Sequence, residues 1–478
     1  ALSSFEKIPD KTVFAIMEKE GNYALLYMLN DGGYSFALSG NGNKLFVEAN
    51  IGQRGDAAPE GPLRAAYYIS GEDLYALFSS AAKDLCEVFP RLKTVRQKRK
   101  PDLIGKLGFC TYNAFYDDVS DQKIYGVLTA LKRWDIRCGF LIVDSGWMRE
   151  KNGKMRAFAP DENKFRGGFK EFTANLKADF SVEKVCVWHT FYGFWEGIDE
   201  TLGIPVSRQI FNEENVCSQI KEADYIGGIN TAGEDFYPMN ITGHLCYLPT
   251  GENISLFYRL FYGYLQENGI EAAKIDAISW LELFGEGPDG RAQIMGKYIH
   301  AAEKWGEEFL NGNILCCSGE STNFLFDSGD LALMRVCKDY IPEDLSTYGP
   351  HIYYAAMNSL WLGEFFYCDY DMFQSGGAGG RMHAISRAIS GGPIYCSDNL
   401  NTLGLQVLRS LAAGDGSVPV CDSYARPTAR SLFVNIFTEE KLFMQFNRLG
   451  DRFLLAAYNC SQKDSGKKIA DYFSISEI

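Results

Sequence analysis

Eight short apolar stretches recur through the middle of this chain, with helically spaced segments between them. They are Gly108–Tyr112, Gly139–Asp144, Lys184–His189, Ala272–Asp276, Asn313–Cys317, Leu333–Val336, Phe365–Asp369 and Gly392–Ser397. Continuous apolar runs of this length read as strands buried on both faces, the condition of a parallel sheet covered by its crossover helices. Eight of them argue for a sheet that closes, and the fold class expected is α/β, a (β/α)8 TIM barrel. Several runs end in Asp, Lys, Arg or Trp, which puts chemistry at the carboxyl rim of such a barrel, where these folds keep their sites.

The flanks read differently. Residues 1–100 open with Thr12–Ile16 and Tyr23–Met28, separated by Gly- and Asn-rich turns, as antiparallel strands do. A helical stripe follows (Leu74, Leu77, Ala81, Leu85), then the basic segment Lys93–Lys100, which reads as a linker ahead of Pro101. We therefore expect an N-terminal β domain and linker over 1–100, the barrel over 101–415, and a small C-terminal β domain over 416–478. In that last part Arg430–Phe437, Lys441–Phe446 and Phe453–Tyr458 read as hairpin strands. Within the barrel, Ser120 caps a helix with the stripe Ile124, Val127, Leu128, Leu131 and Trp134, and Ile294, Tyr298, Ala302, Trp305 and Phe309 form another. The interval 190–253 is too long for a simple loop and reads as part of the site rim.

Composition narrows the partners. With 61 acidic against 47 basic residues the formal net charge is −14, which offers no attraction to nucleic acid or anionic lipid. No apolar run approaches the roughly 20 residues that span a bilayer, and Ala1–Lys7 lacks a signal-peptide pattern. The 13 cysteines are scattered, mostly in strand-like runs, which fits a reducing, cytoplasmic setting. The five histidines are far apart and no Cys-x-x-Cys occurs, so neither a metal nor another cofactor is expected. The partner expected is an oligosaccharide or glycoconjugate substrate, and a homo-oligomer is compatible with the composition.

Lys274 and Asp276 lie two apart in one strand and share a face. Asp339 closes the run that begins at Met334, and Asp369 and Asp371 share a face by the same period. Two carboxylates on rigid elements can serve as nucleophile and general acid in glycoside cleavage. Asp144 and Trp147 at the second strand end, with Trp188, His189, Phe194 and Trp195 at the third, combine acceptors with aromatic faces suited to sugars. Gly376–Gly380 lacks the P-loop Lys-Ser/Thr ending and reads as a flexible turn before a helix over Met382–Ile389. Lys274 as a Schiff-base amine is a second chemistry this pattern allows.

The block Gly108-Phe109-Cys110-Thr111-Tyr112-Asn113-Ala114-Phe115-Tyr116 resembles the Gly-Trp-Cys-Thr-Trp-Asp-Ala-Phe-Tyr of raffinose synthases, alkaline α-galactosidases and seed imbibition proteins, a branch of glycoside hydrolase family 36. Leu141-Ile142-Val143-Asp144-Ser145-Gly146-Trp147 is similar to that branch's Leu-Ile-Ile-Asp-Asp-Gly-Trp, and Lys274-Ile275-Asp276 to its Lys-x-Asp. Arg335–Tyr340, Asp369–Ser375 and Gly392–Asp398 have counterparts too, in order along the chain. The resemblance implies a β-sandwich before the barrel and a β domain after it. It implies Asp276 as nucleophile and Asp339 as acid/base, with Asp144, Trp147, Trp188, Lys274, Arg335 and Asp371 holding the sugar.

The activity so implied is that of a retaining α-galactosidase acting on raffinose-type oligosaccharides. Raffinose synthase-like galactosyl transfer, an altered sugar such as that of an α-N-acetylgalactosaminidase, and a non-catalytic carbohydrate-binding relative are the alternatives. Ser145 and Asn113 stand where the family carries acids, which bears on the sugar taken, and Lys338 adds a cation beside Asp339.

Overall fold

In the computed structural model the described residues are 8–9, 11–41, 44–51, 61–210, 245–284, 290–461 and 468–475. Six strands come first: β1 Phe14–Lys19, β2 Asn22–Met28, β3 Asn30–Asp31, β4 Tyr34–Asn41, β5 Lys44–Ile51 and β6 Ala66–Gly71. They make two antiparallel three-stranded sheets, β1-β2-β6 and β3-β4-β5. The helix Leu74–Val88 follows, capped by the Asp73 carboxylate and burying Leu74, Leu77, Ala81 and Leu85 as its period requires.

The later strands are β7 Leu107–Cys110, β8 Phe140–Val143, β9 Met148–Lys151, β10 Lys154–Pro160, β11 Lys184–Thr190, β12 Val206–Ile210, β13 Leu245–Pro249, β14 Ala272–Asp276, β15 Ile314–Cys316, β16 Leu333–Arg335, β17 Tyr367–Asp369 and β18 Ile394–Cys396. Eight of these form one parallel sheet in the order β17-β16-β15-β14-β11-β8-β7-β18, so each apolar run named above is a barrel strand. The sheet closes where a parallel bridge joins Phe373, beyond β17, to Cys396 of β18, with the Ser397 amide donating to the Phe373 carbonyl at 2.8 Å. Register fixes the rim: Trp188 lies beside Lys274 and Thr190 beside Asp276. One apolar core runs from Leu25 to Cys460, through the barrel and into both flanks.

Three sequence expectations change. The basic segment Lys93–Lys100 is docked on the barrel. Lys98 is buried, donates to the Leu331 carbonyl at 2.8 Å and lies 4.1 Å from the Phe366 ring centre; burial pulls its pKa down to about 8. Lys93 pairs with Asp330 at 2.6 Å and the Val95 amide donates to the Glu364 carbonyl. Second, Arg430–Phe437 is no strand. Residues Ala429–Leu432 form a helical turn, and the C-terminal sheet is β19 Arg426–Pro427, β20 Phe443–Leu449 and β21 Arg452–Tyr458. The Ser431 hydroxyl takes the Met444 amide at 3.0 Å, displacing a strand there, while Phe437 packs on Tyr353 with ring centres 5.1 Å apart.

Third, within Gly376–Gly380 the glycines 376, 379 and 380 are packed tight, and only Gly377 faces open space. A Cβ on Gly376 would lie 2.3 Å from the Thr402 carbonyl, and Asp398 anchors Ser375 through its amide and hydroxyl. The helix after it runs Gly380–Ser390. The Ser120-capped helix Asp121–Arg133 buries its stripe except Trp134, which is 52% exposed. Of the long interval after β11, β12 and β13 pair antiparallel, and 211–244 lies outside the described residues, as does any role of that stretch in the rim. Among the described residues no helix is long and apolar enough to cross a membrane.

Closure of the barrel depends on a close approach. A Cβ on Gly392 would stand 1.9 Å from the Cys368 carbonyl oxygen of β17. Gly392→Ala is expected to cost about 3 kcal/mol, at the upper end of overpacking effects. Gly126→Ala, in an open position of a helix, is expected to add about 0.5–1 kcal/mol. Unfolding in urea, followed by tryptophan fluorescence, reads both.

Candidate active site

The β14 strand carries Lys274 and Asp276 to the carboxyl rim, both on one face. Asp276 is held by three donors. Its Oδ1 accepts from the Ala277 amide at 2.7 Å and the Ser318 hydroxyl at 2.9 Å, and its Oδ2 accepts from the Trp188 indole at 3.2 Å. Burial pushes its pKa up, but Arg335, Lys274 and these donors outweigh burial and hold the carboxyl below its ordinary value. The backbone is left-handed at Ala277 (φ 57°) and at Ser318 (φ 52°), conformations that cost a non-glycine residue roughly 1–3 kcal/mol each.

Arg335, at the end of β16 and only 4% exposed, organises the opposite side. Its Nη1 donates to Asp339 Oδ1 and lies 3.9 Å from Asp371 Oδ1, while its Nη2 reaches the Ser318 hydroxyl at 3.4 Å. Ser318 in turn donates to Asp276, so one guanidinium links both sequence-predicted acids in a single network. Asp339 behaves oppositely to Asp276. Burial lifts its pKa to about 6, with Asp371 and Asp276 adding and Arg335 opposing. Lys338 is exposed.

Asp371 is fully buried and accepts the Tyr340 amide at 2.8 Å. It does not share a strand face with Asp369 as expected. The strand stops at Asp369, and Asp371 sits in a left-handed turn (φ 65°) with its amide on Asp369 Oδ1 at 2.9 Å. The Tyr395 hydroxyl donates to Asp369 at 2.7 Å and reaches Asp371 at 3.4 Å. Burial and Asp371 raise the Asp369 pKa to about 6.

The floor is an ion pair. Lys274 Nζ meets Asp144 Oδ2 at 2.7 Å, both side chains almost fully buried. Burial opposes the ammonium, yet Asp144 with other nearby groups raises the Lys274 pKa well above its ordinary value. An amine ion-paired with a buried carboxylate is disfavoured as the free base a Schiff-base nucleophile must be, which weighs against that reading. Trp147, expected to hold sugar, has no exposed surface. Its indole donates to the Trp188 carbonyl at 2.8 Å and its ring packs on Phe169, so it braces Trp188. Ser145 donates to Asp117 Oδ1 at 2.8 Å, which brings a carboxylate to the place where the family's acid is missing. Asn113 donates to the Tyr340 carbonyl at 3.3 Å. Among the described residues no three His, Cys, Asp or Glu side chains cluster as metal ligands.

Two site residues escaped the sequence reading, Ser318 and Glu320. They follow β15, whose apolar run ends in Cys316-Cys317, so no charged residue marked that strand end. Counting the residues just past every barrel strand would have found them. Burial lifts the Glu320 pKa to about 7, with Arg335 opposing and Asp276 and Asp339 adding.

A family model described as raffinose synthase or seed imbibition protein Sip1 matches residues 11–158 and 149–468. Galactinol–sucrose galactosyltransferase of Pisum sativum is 28% identical over 92% of this chain and 59% of its own length. Stachyose synthase of Pisum sativum is 29% identical over 63% of this chain and 35% of its own. The chain thus spans about three fifths of the former, and 62% of the galactinol–sucrose galactosyltransferase of Oryza sativa subsp. japonica. Among solved structures, the family 36 α-galactosidase AgaA of Geobacillus stearothermophilus, in complex with raffinose, superposes with TM-score 0.56 at 10% identity, over 91% of this chain and 59% of that one. TtGalA, an α-galactosidase of Thermus thermophilus in complex with stachyose, gives 0.51 at 13%, over 83% and 78%. The barrel and its small antiparallel sheets at both ends are the shared fold.

The Lys274–Asp144 pair generates a prediction independent of activity. Lys274→Met leaves a buried carboxylate unpaired and is expected to destabilise by about 3–5 kcal/mol, whereas Lys274→Met with Asp144→Asn recovers most of that loss. Urea denaturation of the two single variants and the double variant closes the cycle.

Proposed function

Because the chain belongs to the raffinose synthase and seed imbibition protein family, we propose that it cleaves terminal α-linked galactose from raffinose-type oligosaccharides with retention, through a glycosyl-aspartyl intermediate. The observation that carries this is one network of two carboxyls: Arg335 donates to Asp339 and reaches Asp276 through Ser318, and with these neighbours Asp276 is held low while burial lifts Asp339 to about 6. Pairs pushed apart in this way divide into nucleophile and acid. Asp276 Oδ2, with one long hydrogen bond against two on Oδ1, attacks the anomeric carbon while Asp339 gives its proton to the leaving oxygen. Asp339, now ionised, takes a proton from the incoming acceptor, which attacks the same carbon and releases Asp276. Asp144, Lys274, Arg335 and Trp188 hold the sugar hydroxyls, with Asp371 behind Arg335 and Trp147 behind Trp188. Retention requires the carboxyl groups to stand about 5–5.5 Å apart.

The acceptor defines a second reading, transfer in place of hydrolysis, favoured by the relatives' names: they are galactosyltransferases and a stachyose synthase. Product analysis separates the two. Free galactose from raffinose marks hydrolysis; raffinose made from galactinol and sucrose marks transfer. The twelve described cysteines are unpaired thiols, which supports a cytoplasmic enzyme.

Asp276→Gly is expected to lower kcat on an activated aryl α-galactoside by about three orders of magnitude or more, with azide restoring turnover as a β-galactosyl azide. Unaltered activity in that variant refutes the nucleophile. Asp339 must be protonated to act, so its activity is present below its pKa and lost above it. The kcat/KM for raffinose is expected to fall about tenfold per pH unit above roughly pH 6, and Asp339→Asn to remove that limb for substrates whose leaving group needs no proton.

A further inference from the structure

The helix Gly380–Ser390 carries a fully buried arginine that the reaction above leaves without a part. Among the described residues the partners of Arg387 are all neutral. Its Nε donates to the Asp371 carbonyl at 3.0 Å and its Nη2 to the Met372 carbonyl at 2.9 Å. Its Nη1 donates to His383 Nδ1 at 2.7 Å and to the Ser386 hydroxyl at 2.9 Å. Burial and Arg387 hold the His383 pKa well below its ordinary value, so that imidazole is a neutral acceptor. A buried guanidinium without a counter-ion is costly unless its donors are matched, and here the matching carbonyls belong to two consecutive residues just beyond β17.

Those residues form the strained turn of the site. Asp371 takes φ 65°, which a residue with a Cβ adopts only when its surroundings impose it. Its carbonyl is bound by Arg387 and its amide by Asp369 at 2.9 Å, so the backbone is fixed at both ends. The carboxylate so placed takes the Tyr340 amide at 2.8 Å and stands 3.9 Å from Arg335. Arg387 also lies against the Tyr340 ring, 5.8 Å from its centre, and thus touches both the turn and the residue that follows Asp339.

We propose that Arg387 is a positioning residue for the reaction: its fork binds the Asp371 and Met372 carbonyls in the left-handed turn, which keeps the Asp371 carboxylate in place as the rival of Asp339 for Arg335. The role deepens the α-galactoside reading above and rests on it. Asp339 is faced by Arg335 from β16, Asp371 beyond β17, Asp276 and Lys274 from β14, Glu320 beyond β15 and Tyr112 beyond β7. Burial raises the Asp339 pKa most, Arg335 opposes, and Asp371 is the strongest charge adding to burial. A relaxed turn moves that anion away, leaves Arg335 to Asp339 and lowers the pH at which the acid loses its proton.

Arg387→Met keeps an unbranched stem and removes every donor. The alkaline limb of kcat/KM for raffinose is expected to move about one pH unit toward acid, giving roughly tenfold less activity than wild type at pH 7, with the two profiles meeting at about pH 4. A merely structural loss lowers the whole profile by one factor at every pH; that result, or an unmoved limb, overturns the proposal. Arg387→Lys keeps the charge but has a single nitrogen to span both carbonyls and the imidazole. It is expected to displace the limb as Arg387→Met does, and a wild-type limb in it overturns the proposal by leaving the effect to charge alone. Where Arg387→Met does not fold, Arg387→Lys carries the test. Asp339 is also read without substrate, by infrared titration of its carboxyl in the difference against Asp339→Asn. Should the wild type turn over no galactoside, the reaction assignment fails and this titration decides. A midpoint about one unit lower in the variant supports the role of Arg387, and an unchanged midpoint refutes it.

Discussion

A single desolvated guanidinium sets the charge state of everything at the rim. Arg335 touches Asp339, stands near Asp371 and reaches Asp276 through Ser318. Three buried carboxyls competing for one cation cannot all ionise at their ordinary values, because each anion raises the free energy of the others in a medium of low polarity. Asp276 is held low because it also has an amide, a hydroxyl and an indole aimed at it, and Asp371 because it takes the Tyr340 amide, whereas burial prevails over Arg335 and Lys274 at Asp339. The two carboxyls thus differ through their neighbours, not their chemistry. Lys274 contributes at longer range, since its ammonium is spent on Asp144.

The barrel was legible in the sequence because parallel strands buried on both faces cannot alternate, and eight such runs admit few other folds. The acids at 276 and 339 and the cation at 335 were legible as strand endings. Ser318 and Glu320 were not, since the run before them ends in cysteines that read as core. A left-handed turn, not the strand alternation read from the sequence, brings Asp371 beside Asp369.

The flanks show the limit more plainly. Alternation of Leu432, Val434 and Ile436 mimics a strand, yet hydroxyl groups at Thr428 and Ser431 capture backbone and each other and favour a turn. The density of Lys and Arg over 93–100 resembles a solvated tether. Only tertiary structure reveals the carbonyl of Leu331, more than two hundred residues away, that receives Lys98. Local pattern cannot report a partner supplied from so far along the chain.

The left-handed backbones at Ala277, Ser318 and Asp371 have a thermodynamic meaning for ligand capture. Each is a conformation that folding must impose against local preference, and each neighbours a group that orients the carboxyls. The ordering cost of the receptor is therefore met when the polypeptide folds, before any sugar arrives. On the reaction proposed above, an incoming sugar would meet a stiff mould, and more of its contact energy would be left to distort the pyranose toward the planar oxocarbenium geometry of the transition state.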